Sequence, residues 1–195
     1  MKKLLQIALA TMLVILGTFT TSINIAHAQS ASPKNVLLPL EEISLSQNQI
    51  EGINDYNRRG LAIGLHGSIY KPDKFLSFFT QRGLPFAYYV NYPRIGSPES
   101  YAKDVATLQE YINKITNSEK AAVEATIKEL EVYKSNNLAI GLNGDTLQPD
   151  AFNSFFAARN LNFDPYVRKG ITIGESSAYD KNIATLRDYL NKFPK

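Results

Sequence analysis

The chain has 195 residues, no cysteine, no tryptophan, two histidines and a formal net charge of +3. The lack of cysteine excludes disulfides, thiolate chemistry, a lipid-modified cysteine and cysteine-held metals. Lys2 and Lys3 carry most of the surplus charge, so the remainder is near neutral and lacks the clustered basic footprint that nucleic acid requires.

Residues 1–28 read as an export signal. Lys2 and Lys3 form a positive start, an apolar run follows from Leu4 to Phe19, and Ala26-His27-Ala28 has the small-x-small pattern of a cleavage site. The run is short for a bilayer span, and no second apolar run approaches one. The expected location is therefore periplasmic or secreted, with no membrane span after cleavage. Residues 29–44 are rich in Ser, Pro and Ala before LLPL and read as a linker.

From there the chain repeats itself. LAIGLHG at 61–67 returns as LAIGLNG at 138–144, KPDKFLSFF as QPDAFNSFF, and GLPFAYYV as NLNFDPYV. After a one-residue slip near Gly170–Ile171, DVATLQEYINK returns as NIATLRDYLNK. About 30 of roughly 65 paired positions are identical at a period of about 77, which marks an internal duplication. The boundaries are 45–117 for repeat 1 and 118–195 for repeat 2, with Thr116-Asn117-Ser118 as the turn between them.

Each repeat is predicted as helix–strand–helix–strand–helix. The first helix, 47–58 or 121–134, has apolar residues at helical spacing and ends at Gly60 or Asn137, both tolerant of left-handed backbone. LAIGL fits a short buried strand whose central Gly64 or Gly141 marks close backbone approach. A short helix follows, with Pro72/Asp73 or Pro149/Asp150 at its start. It carries Phe75, Phe78 and Phe79, or Phe152, Phe155 and Phe156, on one core face. Residues 84–92 alternate at period two and predict a second strand, echoed at 161–169 with Pro165 interrupting it. The last helix starts at Ser97-Pro98-Glu99 and is matched by one from about Ser177 to Lys192.

The expected fold class is α/β: two repeats, each with a parallel βαβ unit, packed as one pseudo-twofold domain. A single repeat of about 70 residues would be marginal by itself. The alternative is a mostly α arrangement, because the strands are short.

No constellation of catalytic groups stands out. His66 sits where a strand meets a turn, but no arranged nucleophile accompanies it, and its counterpart is Asn143. Asn143-Gly144-Asp145 lacks the remaining ligands of a calcium loop. The glycines of LAIGLHG lack phosphate-loop spacing. No metal and no cofactor are expected. Aromatic and cationic groups concentrate at Tyr88, Tyr89, Tyr92 and Arg94, and that composition is typical of interfaces. The expected site is therefore Tyr88, Tyr92 and Arg94. The leading function is an exported binding or interaction module that takes an envelope protein or a small ligand. The alternative is a small exported hydrolase using His66.

Overall fold

The computed structural model describes residues 37–66, 71–91, 94–141, 151–167 and 173–194. The expected export signal, the first part of the expected linker, Tyr92, Asn143, Pro149 and Asp150 lie outside them. Helix α1 (Pro39–Arg59) begins earlier than the sequence indicates and takes in the end of the linker. Pro39 suits the first helical turn, which has no use for its missing N–H, and the Leu38 N–H donates to Glu41 Oε2 at 3.1 Å. Gly60 ends the helix in left-handed backbone, φ 62°. Gly52, which weakens the helix on propensity alone, is needed for packing. A Cβ there would stand 2.9 Å from Cε1 of the buried Phe75.

Two two-residue strands, β1 (Leu65–His66) and β2 (Lys71–Pro72), pair antiparallel, Leu65 opposite Pro72 and His66 opposite Lys71. Helix α2 (Lys74–Gln81) follows. Asp73 caps it, accepting from the N–H groups of Phe75 (2.9 Å) and Leu76 (3.0 Å) and also from Gly64 (2.6 Å). One carboxylate thus fixes both the helix start and the base of the hairpin before it. Strands β3 (Val90–Asn91) and β4 (Arg94–Ile95) form a second antiparallel pair, with Val90 opposite Ile95. Helices α3 (Ser100–Asn136), α4 (Ala151–Ala157) and α5 (Ala178–Leu190) complete the order.

The described residues are mostly helical, which agrees with the mostly α alternative and corrects the predicted parallel βαβ units. Among the described residues, the two stretches read as strands meet through the antiparallel bridges Ile63↔Tyr89 and Ile140↔Tyr166. Gly64 and Gly141, both at φ 93°, turn the chain out of extended geometry after one residue. The β1–β2 hairpin then adds a reversal before α2, so the return segment arrives antiparallel. Rings make the close approach at these glycines. A Cβ on Gly64 would lie 2.6 Å from Phe86 Cε1, and one on Gly141 2.5 Å from Phe163 Cε1.

The predicted turn at Thr116-Asn117-Ser118 is also corrected, because it lies inside α3. This 37-residue helix is about 55 Å long at 1.5 Å per residue. Neither Gly nor Pro interrupts residues 100–136, and the buried stripe Leu108, Ile112, Thr116, Glu119, Val123, Ile127, Leu130 passes through the middle without a break. Proline in place of the exposed Asn117 should therefore cost about 3 kcal/mol or more, since it removes a helical hydrogen bond and clashes with the preceding turn. Urea unfolding measures this, and a loss below about 0.5 kcal/mol would show that the helix is not continuous there.

One core cluster gathers Ile53, Ile63, Phe75, Phe79, Tyr101 and Leu108. A larger one holds Ile112, Val123, Leu130, Ile140, Phe152, Phe156, Tyr179 and Leu186, and reaches back to Ile43 of α1. Ile50 packs against both. Helix α3 touches α1 and α5 and so contributes to the two clusters.

Candidate functional site

Contacts made in the first half recur in the second at a separation of 77 or 78 residues. The Tyr101 hydroxyl donates to the Leu61 carbonyl, and the Tyr179 hydroxyl to the Leu138 carbonyl. Tyr56 meets Phe75 edge-on at 4.8 Å, and Tyr133 meets Phe152 at 4.9 Å. Phe79 and Phe86 pack as Phe156 and Phe163 do.

The densest recurring group is ionic. The Arg82 guanidinium forks onto Glu42, with Nη2 to Oε2 at 3.0 Å, while Nη1 donates to the Phe78 carbonyl and the guanidinium lies 3.4 Å above the Phe78 ring. The Tyr111 hydroxyl donates to Glu42 Oε1 at 3.0 Å. In the second half Arg159 forks onto Glu119 (2.5 and 3.1 Å), donates to the Phe155 carbonyl and stacks on Phe155 at 3.4 Å. Tyr189 there donates to Glu119 Oε1 at 3.1 Å. Burial, reinforced by the neighbouring carboxylates, holds both tyrosine hydroxyls above their usual range. Both phenols therefore stay neutral donors. Each cluster ties the first helix of its half to the short helix and to the last helix. Phe78 and Phe155, predicted as core, are half-buried platforms for the arginines; the fully buried pair on the same faces is Phe79 and Phe156.

A second recurring contact differs in one atom. Asn182 Oδ1 accepts from the Asp164 N–H at 2.9 Å and Asn182 Nδ2 donates to the Asp164 carbonyl at 2.7 Å. In the first half the counterpart is Asp104, whose Oδ1 accepts from the Ala87 N–H at 2.7 Å. Its Oδ2 is buried without a hydrogen-bond partner. Burial pushes the Asp104 carboxyl up to about 7; the Ala87 bond opposes this and nearby Asp73 adds to it.

The predicted site residues are only partly brought together. Tyr88 is half-buried. Its ring stands edge-on to Phe86 at 5.4 Å, and its carbonyl accepts from Ser100 Oγ at 2.8 Å, so it serves the framework. Arg94 is exposed at the start of β4. Tyr92 lies between β3 and β4 in the sequence, outside the described residues. His66 lies in β1, paired with Lys71. Among the described residues no group of three or more His, Asp or Glu side chains is placed to hold a metal ion, and no helix is long and apolar enough to cross a membrane.

Sequence reasoning missed the Glu42–Arg82–Tyr111 cluster and Asp104. The first could have been found, because all three residues are identical in both repeats although none lies in an obvious motif. The second could also have been found: Asp104/Asn182 is a charged-to-neutral change inside an otherwise retained helix. No family model matches this chain, and no curated protein or solved structure matches it.

Proposed function

We propose that the chain is an exported binding module, built by internal duplication into one domain, that presents variable hairpin tips on a repeated framework. The observation that carries this reading is the contrast between framework and tips. The ion clusters, tyrosine–carbonyl bonds and aromatic pairs recur, whereas the tips do not. Between the paired residues Val90 and Ile95 the sequence is NYPR; between Val167 and Ile173, which also pair, it is RKGIT, one residue longer. The one-residue slip of the duplication thus falls at a tip. The stretch from His66 to Lys71 reads HGSIYK, against NGDTLQ at the matching positions 143–148. Loops held by a rigid scaffold are where binding residues concentrate. Tyr92 and the exposed Arg94 supply aromatic and cationic groups to the first tip, and the partner is an envelope protein or a small ligand. The export signal at residues 1–28 supports the envelope as the setting.

Tyr92→Ala combined with Arg94→Ala, and separately the grafting of RKGIT in place of NYPR, should leave thermal unfolding unchanged, since neither alters a recurring contact. Both should lower capture of the envelope partner that photo-crosslinking recovers with the unaltered chain, by tenfold or more if these residues are hot spots. Undiminished capture by both folded variants would remove this tip as the site. A hydrolytic activity lost on His66→Ala would replace the binding reading with the hydrolase one.

A further inference from the structure

The single-atom difference between Asp104 and Asn182 has a chemical reading. We propose that Asp104 is a neutral carboxylic acid in the folded protein, donating from its protonated Oδ2 to the Ala87 carbonyl, and that its ionisation is a pH-sensitive release of the β3–β4 arm from α3.

Asn182 shows what the position demands. Its amide offers one acceptor and one donor, and both atoms are used on the backbone of one residue, Asp164. A carboxylate offers two acceptors and no donor; a carboxylic acid offers one of each. Asp104 already makes the acceptor half of the pair to Ala87. Its second oxygen is buried with no partner, and the residue is 1% exposed. Protonation completes the pair that the asparagine makes. Ionisation leaves a buried charge with an unpartnered oxygen, which is costly in desolvation, and, if the pair follows the Asn182 arrangement, sets that oxygen against a carbonyl.

The surroundings offer the charge no relief. Asp73, the cap of α2, is the charged group whose field reaches Asp104, and it has the same sign. On α1, Asp55 pairs with Arg58 and Arg59 at the surface, and Glu42 is taken by Arg82. On α3 itself, Lys103 is exposed and the Tyr101 hydroxyl is committed to Leu61. In the return segment, Tyr88 and Tyr89 are the titratable side chains beside Ala87, and Tyr89 lies against Tyr101 at 5.2 Å.

What ionisation would loosen is also defined. The arm is held to α3 at Asp104–Ala87 and at Ser100–Tyr88, where the serine hydroxyl donates to the carbonyl. Gly96, at φ 78°, lies so close to the Tyr88 carbonyl that a Cβ would overlap it. The second half has Ala178 in place of Ser100 and so lacks the hydroxyl tie, but its Asn182 cannot ionise.

The sign of the effect follows from linkage. The Asp104 carboxyl sits at about 7 when folded against 3.8 for the unperturbed side chain, on the order of a thousandfold tighter proton binding in the folded chain. Stability from this group is therefore complete below the unfolded value and declines as pH rises from about 4 through about 7.

The test uses the full chain in three forms: unaltered, Asp104→Asn, and Asn182→Asp. Thermal unfolding is followed between about pH 4 and pH 9, together with a carbon-13 NMR titration of the Asp104 carboxyl in the unaltered protein. The expected results are an Asp104 midpoint near 7, a higher Tm for Asp104→Asn than for the unaltered chain at pH 8, and loss of the decline between pH 5 and 7. Asn182→Asp should acquire a second decline of the same sign. An Asp104 midpoint near 4 overturns the proposal, as does an Asp104→Asn chain that melts lower at pH 8. Should Asp104→Asn fail to fold, the proposal is equally overturned, because the isostere of the neutral acid must be accepted.

Discussion

Glu119→Ala is expected to destabilise the protein by about 3–5 kcal/mol, the usual consequence of removing one member of a buried ion pair. Both side chains of the pair are largely buried, 13% exposed for Arg159 and 10% for Glu119. The alanine variant would leave the guanidinium with the Phe155 carbonyl and ring alone, and would strip the Tyr189 hydroxyl of its acceptor. Removing Arg159 as well should cost less than the sum of the single losses, because the charge that was stranded is then absent. Urea unfolding of the two single variants and the double variant measures the coupling. A Glu119→Ala loss below about 1 kcal/mol would mean that the cluster is solvated and does not tie the helices together.

Phe156→Ala is expected to lose a comparable amount, about 3–5 kcal/mol, through lost burial and the cavity left behind. Phe156 is fully buried and touches Phe155 and Phe163. The neighbouring Phe155 provides the contrast. It is half-buried under Arg159, so Phe155→Ala should cost clearly less than Phe156→Ala. Equal losses at the two positions would mean that Phe155 belongs to the core after all.

The sequence displays its matching stretches directly, and with them the residues that stop helices. Gly60 and Asn137, like Gly83 and Asn160, all adopt the left-handed backbone their types allow. The shared Phe faces were also readable, but not which ring at i, i+3 and i+4 would be surrendered to an arginine. The strands were overread for a physical reason. In residues 84–91 the apolar alternation of the sequence is not an alternation of burial: residues 86–89 are all half-buried, with Phe86 against Phe79 and Tyr89 against Tyr101. No extended ladder of backbone hydrogen bonds accompanies it. A period-two pattern of apolar residues does not by itself make a sheet. The middle of α3 was misread because Thr, Asn and Ser favour turns by local hydrogen bonding. Here the apolar stripe continues on both sides, and no residue forces a reversal. Of the expected site residues, Arg94 is exposed at the start of β4. Tyr88 was given a freedom that Phe86 and Ser100 remove. The Asp104 environment depends on a backbone partner 17 residues away, which no local pattern encodes.

The long helix α3 also sets which kinds of change the two halves can absorb. Each residue of an α-helix advances about 1.5 Å and turns about 100°. One residue inserted near Asn117 would swing everything after it through more than a quarter turn. Glu119 and Val123 would leave the face that meets α5 and α4, and the second ion cluster could not close. A residue inserted at a hairpin tip changes nothing beyond the tip. Over their matching stretches the two repeats differ in length by one residue, and that residue lies between Val167 and Ile173, not in the helix. The helix therefore acts as an indexing shaft with a fixed phase, and length variation is confined to the tips, where it alters what the scaffold presents and leaves the scaffold itself unchanged.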